Sequence, residues 1–193
     1  GKRLRDQQGR EAARRLVLLA SVAAAAGIAG LVLAPAVLTT AALVAIPALL
    51  TIALAWRRLE RTLVGEIGAA VALSGAAAPV LVASGVGQRA AVATWGAWAI
   101  GYACTVIAVH RVIARHRTAA TWRDTLVIVV LLAVTIASAV LLAHGSLVGA
   151  ATPLALAAMA LVIHPPKATY LRTIGVALVV ASVATGALAV AAL

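Results

Sequence analysis

Apolar runs of span length alternate with short polar, mostly basic segments along the whole chain. The runs lie at about 16–35, 39–56, 63–84, 90–112, 124–143, 147–163 and 173–193. Crossing a hydrocarbon layer roughly 30 Å thick at about 1.5 Å per residue takes about 20 helical residues, which is the length that recurs. None of the runs alternates with a period of two, so they read as helices rather than barrel strands; in lipid each backbone N–H and C=O must find its partner inside the segment or in a closed barrel. The pattern predicts an all-α, polytopic transmembrane helical bundle, with seven spans in a single transmembrane domain over residues 1–193 and a basic segment over 1–15.

Breakers sit where the spans should end. Pro35 and the Thr39-Thr40 pair mark the first turn, and Pro47 inside the second run predicts a kink. Ser84-Gly85-Val86-Gly87-Gln88 and His144-Gly145-Ser146 read as short turns, and His164-Pro165-Pro166-Lys167 must interrupt a helix. Trp56, Trp122 and Tyr170 fall at one set of span ends, with Trp95 and Trp98 near the other, where amphipathic rings act as interfacial anchors. Gly27 with Gly30, Gly65 with Gly68, and the abundant alanines allow close helix approach.

Charge then orients the bundle. Lys2, Arg3, Arg5, Arg10, Arg14 and Arg15 precede the first run, Arg57, Arg58 and Arg61 follow the second, Arg111, Arg115, Arg117 and Arg123 surround the end of the fourth, and Lys167 and Arg172 lie between the sixth and seventh. With alternating spans, these fifteen lie on one side and Arg89 alone on the other. The positive-inside rule therefore places the N-terminus in the cytoplasm and the C-terminus outside, and the expected location is the inner (plasma) membrane if the cell is bacterial. Arginine outnumbers lysine fourteen to two and alanine is abundant, which hints at a GC-rich bacterial genome.

Composition agrees: 64% of residues are hydrophobic and 11% charged, against about 25% charged in soluble domains. The net charge of +11 does not point to nucleic acid, because the basic residues lie between spans, where they set topology and meet anionic lipids of the bilayer. Cys104 is the only cysteine, so neither an internal disulfide nor a cysteine-based metal site is available. The four histidines lack metal-ligand spacing, and no metal or cofactor is assigned. Nucleophile-elbow, phosphate-loop and paired-aspartate motifs are also missing, leaving open whether the chain is an enzyme.

The remaining chemistry gathers at the cytoplasmic ends. "WRRLERTLVGE", residues 56–66, carries two of the five acidic residues, and Glu66 lies inside the third apolar run, where a lone carboxylate is expensive. Antiparallel neighbours bring that position beside "VHRVIARHR", residues 109–117, so Glu66 pairs with Arg111 or His110. The bland reading is an ion pair that clips two helices, with Glu66 also favoured at a helix N-terminus. The sharper one is a basic pocket in which Arg111, Arg115, Arg117 and Arg61 hold a phosphate or anionic lipid, organised by Glu66 and His110. Asp124 reads as a helix cap, and Asp6 and Glu11 as part of a solvated face.

"RRLERTLVGE" with its alanine-rich span, "VHRVIARHR", and "HPPKATYLRTIGVALVVASV" together resemble the carboxyl-terminal part of the YwiC-like family of bacterial integral membrane proteins, over about residues 14–193. Family members open with a region carrying a His-Gly-Ala sequence; "WGAWAI" at 95–100 is similar only superficially. Two such spans before Gly1 would give nine in all. That count and orientation are similar to UbiA-type prenyltransferases, a fold-level analogy. Those enzymes hold magnesium through NDxxD-like motifs, whereas the corresponding loops here are basic, so magnesium-dependent prenyl transfer is not expected. The resemblance implies an integral membrane protein and brings no activity with it. Two readings follow: a cytoplasmic pocket for an anionic lipid or isoprenoid phosphate, or a non-catalytic membrane subunit packed against a membrane protein partner. A small-solute transporter has less support, since no inverted repeat is visible.

Overall fold

The computed structural model describes residues 34–115, 122–165 and 171–193 continuously, together with residues 11, 14, 15, 17, 18, 21, 22, 24, 25, 27–30 and 32. It falls into two compact units, Gly1–Thr39 and Thr40–Leu193. In the first, the described residues between 11 and 32 are helical and expose Val17, Val22, Ile28 and Val32. A 3-10 turn, Pro35–Val37, follows, with proline at its start where a missing N–H costs nothing.

The described residues form seven further α-helices, α1 (Leu38–Trp56), α2 (Leu63–Gly75), α3 (Ala77–Ala83), α4 (Gln88–Arg115), α5 (Trp122–Ala143), α6 (Thr152–Ile163) and α7 (Leu171–Ala191). No strand occurs among the described residues. Among the described residues, five stretches are long and apolar enough to cross a membrane: Pro35–Trp56, Leu63–Ala83, Gln88–Ala114, Asp124–Ala143 and Ile174–Ala191. Large apolar side chains such as Ile46, Leu49, Leu73, Ile136, Val179 and Val183 point outward along them. Outward-facing apolar helices of this length make the chain a multi-pass membrane protein.

Two expected spans differ in detail. The run at 147–163 is a 3-10 segment, Leu147–Ala151, leading into the 12-residue α6. At about 2.0 and 1.5 Å per residue the two reach about 28 Å, so the tighter coil recovers length that a short helix lacks. The run at 63–84 is two helices, interrupted at Ala76. Pro79 has no N–H to give the Gly75 carbonyl four residues back, and its ring crowds that carbonyl. By contrast, α1 runs through Pro47 without a break in its helical assignment.

Small residues set how the helices meet. A Cβ on Gly75 would lie 2.6 Å from Val44 Cγ1, and one on Gly68 would lie 3.4 Å from Thr51 Oγ1, so α1 runs antiparallel along a glycine face of α2. Gly65 serves a different purpose from the one expected. Its Cα abuts the Leu59 carbonyl and the Glu60 backbone of its own preceding loop. The core lies between α4, α5 and α6, where Cys104, Ala108, Val112, Leu131, Ala155, Ala158, Leu161 and Val162 are buried together. A second cluster joins Ala97, Ala150, Ala151 and Ala189.

Candidate functional site

The loop before α2 is shaped by how α1 ends. Arg58 N–H bonds the Ala55 carbonyl at 2.9 Å and Leu59 N–H the Leu54 carbonyl at 2.9 Å, a Schellman closure. The residue after the cap must be left-handed; Gly85 and Gly145 fill that role at the ends of α3 and α5, but here it is Arg58, at φ 58°. The chain then enters α2 through Thr62, whose Oγ1 accepts the Gly65 N–H at 3.2 Å and donates to the Leu59 carbonyl at 2.6 Å. This cap fixes Glu66 in the first turn of α2, where the helix dipole favours a carboxylate.

Glu66 meets α4. His110 Nε2 lies 2.7 Å from Glu66 Oε2, with the two side chains about a third and a half exposed. Of the two partners the sequence allowed, His110 is the one in place. Arg111 turns instead to Asp124 in the first turn of α5, its Nε bonding Asp124 Oδ1. This second pair is more enclosed, with side-chain exposures of 15% and 7%. Asp124, read from the sequence as a helix cap, lies in the first turn of α5, and its buried carboxylate faces a largely enclosed guanidinium. Asp124 thus joins Glu66 and His110 among the groups that position this end of α4. The signal available in the sequence was Asp124 in the first turn of a span that follows a four-arginine segment.

Between these pairs lies a cavity of about 400 Å³ lined by Leu63, Ile107, His110, Arg111, Ala114, Trp122, Leu126 and Val127. Its wall is mostly aliphatic, with the imidazole and guanidinium as polar groups. Arg61 lies two residues before lining residue Leu63, in an exposed loop. Arg115 ends α4 directly after lining residue Ala114, and its side chain, like Arg117 and His116 entirely, lies outside the described residues. So do the basic positions Lys2, Arg3, Arg5, Arg10 and Lys167, and Tyr170. No group of three potential metal ligands occurs among the described residues.

Residues 2–82 match the family model of YwiC-like proteins. The YwiC-like resemblance is thereby shown over a stretch that takes in "RRLERTLVGE", Glu66 and the α2–α3 break. "VHRVIARHR" and "HPPKATYLRTIGVALVVASV" lie beyond the matched residues. No curated protein and no solved structure matches the chain.

Aromatic residues behave in two ways. Trp56 and Trp122 are 85% and 72% exposed at helix ends, as interfacial anchors should be. Trp95 is no such anchor: its indole Nε1–H donates to the Val71 carbonyl of α2 at 3.0 Å, next to the helix break. Trp98 stacks on Tyr102, ring centroids 5.4 Å apart, against α2 and α3. The sequence hint was spacing, since 95, 98 and 102 share one helical face.

Proposed function

We propose that this YwiC-like membrane protein binds the phosphate or anionic head group of a lipid, an isoprenoid phosphate included, at the cavity between the starts of α2 and α5 and the end of α4. The observation that carries the reading is the coincidence of an aliphatic cavity of about 400 Å³ with His110 and Arg111 in its wall. An aliphatic wall suits a lipid stem, and planar guanidinium groups suit a phosphate. In this reading Arg111, Arg115, Arg117 and Arg61 contact the anion, Glu66 and His110 organise the α2 side, and Asp124 orients Arg111.

The reading includes an inner-membrane location with the N-terminus and this cavity on the cytoplasmic side, residues 1–193 forming one transmembrane domain. The supporting feature is the fifteen-to-one distribution of Lys and Arg. Native mass spectrometry of the gently solubilised protein tests the proposal. One phosphorylated or anionic lipid should be retained, and Arg115→Ala should lower its retention about tenfold, as loss of a charge-assisted contact does. Retention of bulk lipid alone, or of a protein in fixed ratio, would replace this reading with that of a non-catalytic membrane subunit.

A further inference from the structure

A second cavity, of about 520 Å³, lies on another face of α4, lined by Ala70, Leu73, Ser74, Ala77, Trp98 and Tyr102. At about 100° per residue, Trp98 and Tyr102 project roughly 150° away from the face carrying Ile107, His110, Arg111 and Ala114. One ligand cannot occupy both cavities. This one adjoins the α2–α3 break: Ser74 and Ala77 flank Gly75 and Ala76, where the helix is interrupted. Irregular backbone at membrane depth is tolerated where it is buried in protein or lines a cavity. Trp95 Nε1–H and Ser74 Oγ, at 3.0 Å each, both donate to the Val71 carbonyl beside the break.

The wall has a specific chemistry. It contains no charged residue, which disfavours an ionic ligand inside a membrane. The stacked Trp98 and Tyr102 offer flat ring surface for a second ring. No described residue hydrogen-bonds the Trp98 indole N–H or the Tyr102 hydroxyl, both of which are donors. The volume lies within the roughly 300–1,000 Å³ of small-molecule pockets.

We infer that the cavity at the α2–α3 break binds a neutral, lipid-soluble ring compound bearing carbonyl acceptors, of the quinone type, stacked on Trp98 and Tyr102 and accepting from the Tyr102 hydroxyl. The site is separate from the anionic-lipid cavity. A short-tailed benzoquinone is the probe, and quenching of intrinsic tryptophan fluorescence in detergent is the readout. The intact protein should show saturable quenching. Ala77→Leu, which fills the cavity, should remove the saturable component. Tyr102→Phe, which keeps the ring and all four tryptophans, should weaken it about fivefold through loss of one hydrogen bond. If Ala77→Leu fails to elute as a single helical species, Tyr102→Phe carries the test alone. Arg115→Ala should leave the quenching unchanged, so failure here is separable from failure of the head-group reading. Linear quenching in the intact protein, saturation unaltered in both cavity variants, or displacement by plain phospholipid would overturn the inference.

Discussion

The two cavities on α4 are built by opposite means. The one at its end has a mostly apolar wall into which two ionisable groups are set, His110 facing Glu66 and Arg111 facing Asp124 near helix termini. The one nearer the middle of the helix contains no charge and adjoins the interruption of a neighbouring helix, with an indole and a serine hydroxyl donating beside the gap. The difference follows depth in the membrane. At a helix end, dipoles and nearby water help to carry an ion, and a long side chain can reach the interface. Within a span an ion is far more costly, so the polar groups that remain there are neutral.

Breaking each feature should rank them. Asp124→Ala leaves the Arg111 guanidinium, itself only 15% exposed, without its carboxylate partner. Removing one member of an enclosed pair costs about 3 kcal/mol or more, so a large drop in thermal midpoint in detergent is expected. An unchanged midpoint would mean that Arg111 finds water or lipid phosphate as readily.

Trp95→Phe keeps the ring but removes the N–H from the Val71 carbonyl, which the Ser74 hydroxyl still reaches. The expected loss is about 1 kcal/mol, with faster hydrogen exchange confined to the α2–α3 break. Exchange that spreads along all of α4 would show that Trp95 holds the helix pair rather than the break.

Glu66→Gln should matter least to stability. Its pair with His110 is half open, and exposed pairs are worth less than about 1 kcal/mol. A loss equal to that of Asp124→Ala would erase the distinction between the two pairs.

The juxtaposition of α2 and α4 was legible in the sequence because Glu66 had to be reconciled with an apolar run, and only a few polar residues were available to do it. The role of Asp124 was less legible, since an aspartate near a helix start reads equally as a cap and as a partner. Trp95 was harder still. Its position near a span end fits an interfacial anchor, and only the neighbouring helix shows that the indole turns inward.

The sequence by itself determined the class of molecule, because hydrophobic length and backbone satisfaction leave a lipid-embedded chain few alternatives. It also determined which helix ends are basic, since charge lies in the residues themselves. The tertiary structure decided which cation meets which carboxylate, how Gly75 and Pro79 divide the third run, and where the aromatic cavity opens. Those outcomes depend on the rotation and register of packed helices, and neighbouring faces set these through contacts as close as Val44 against Gly75.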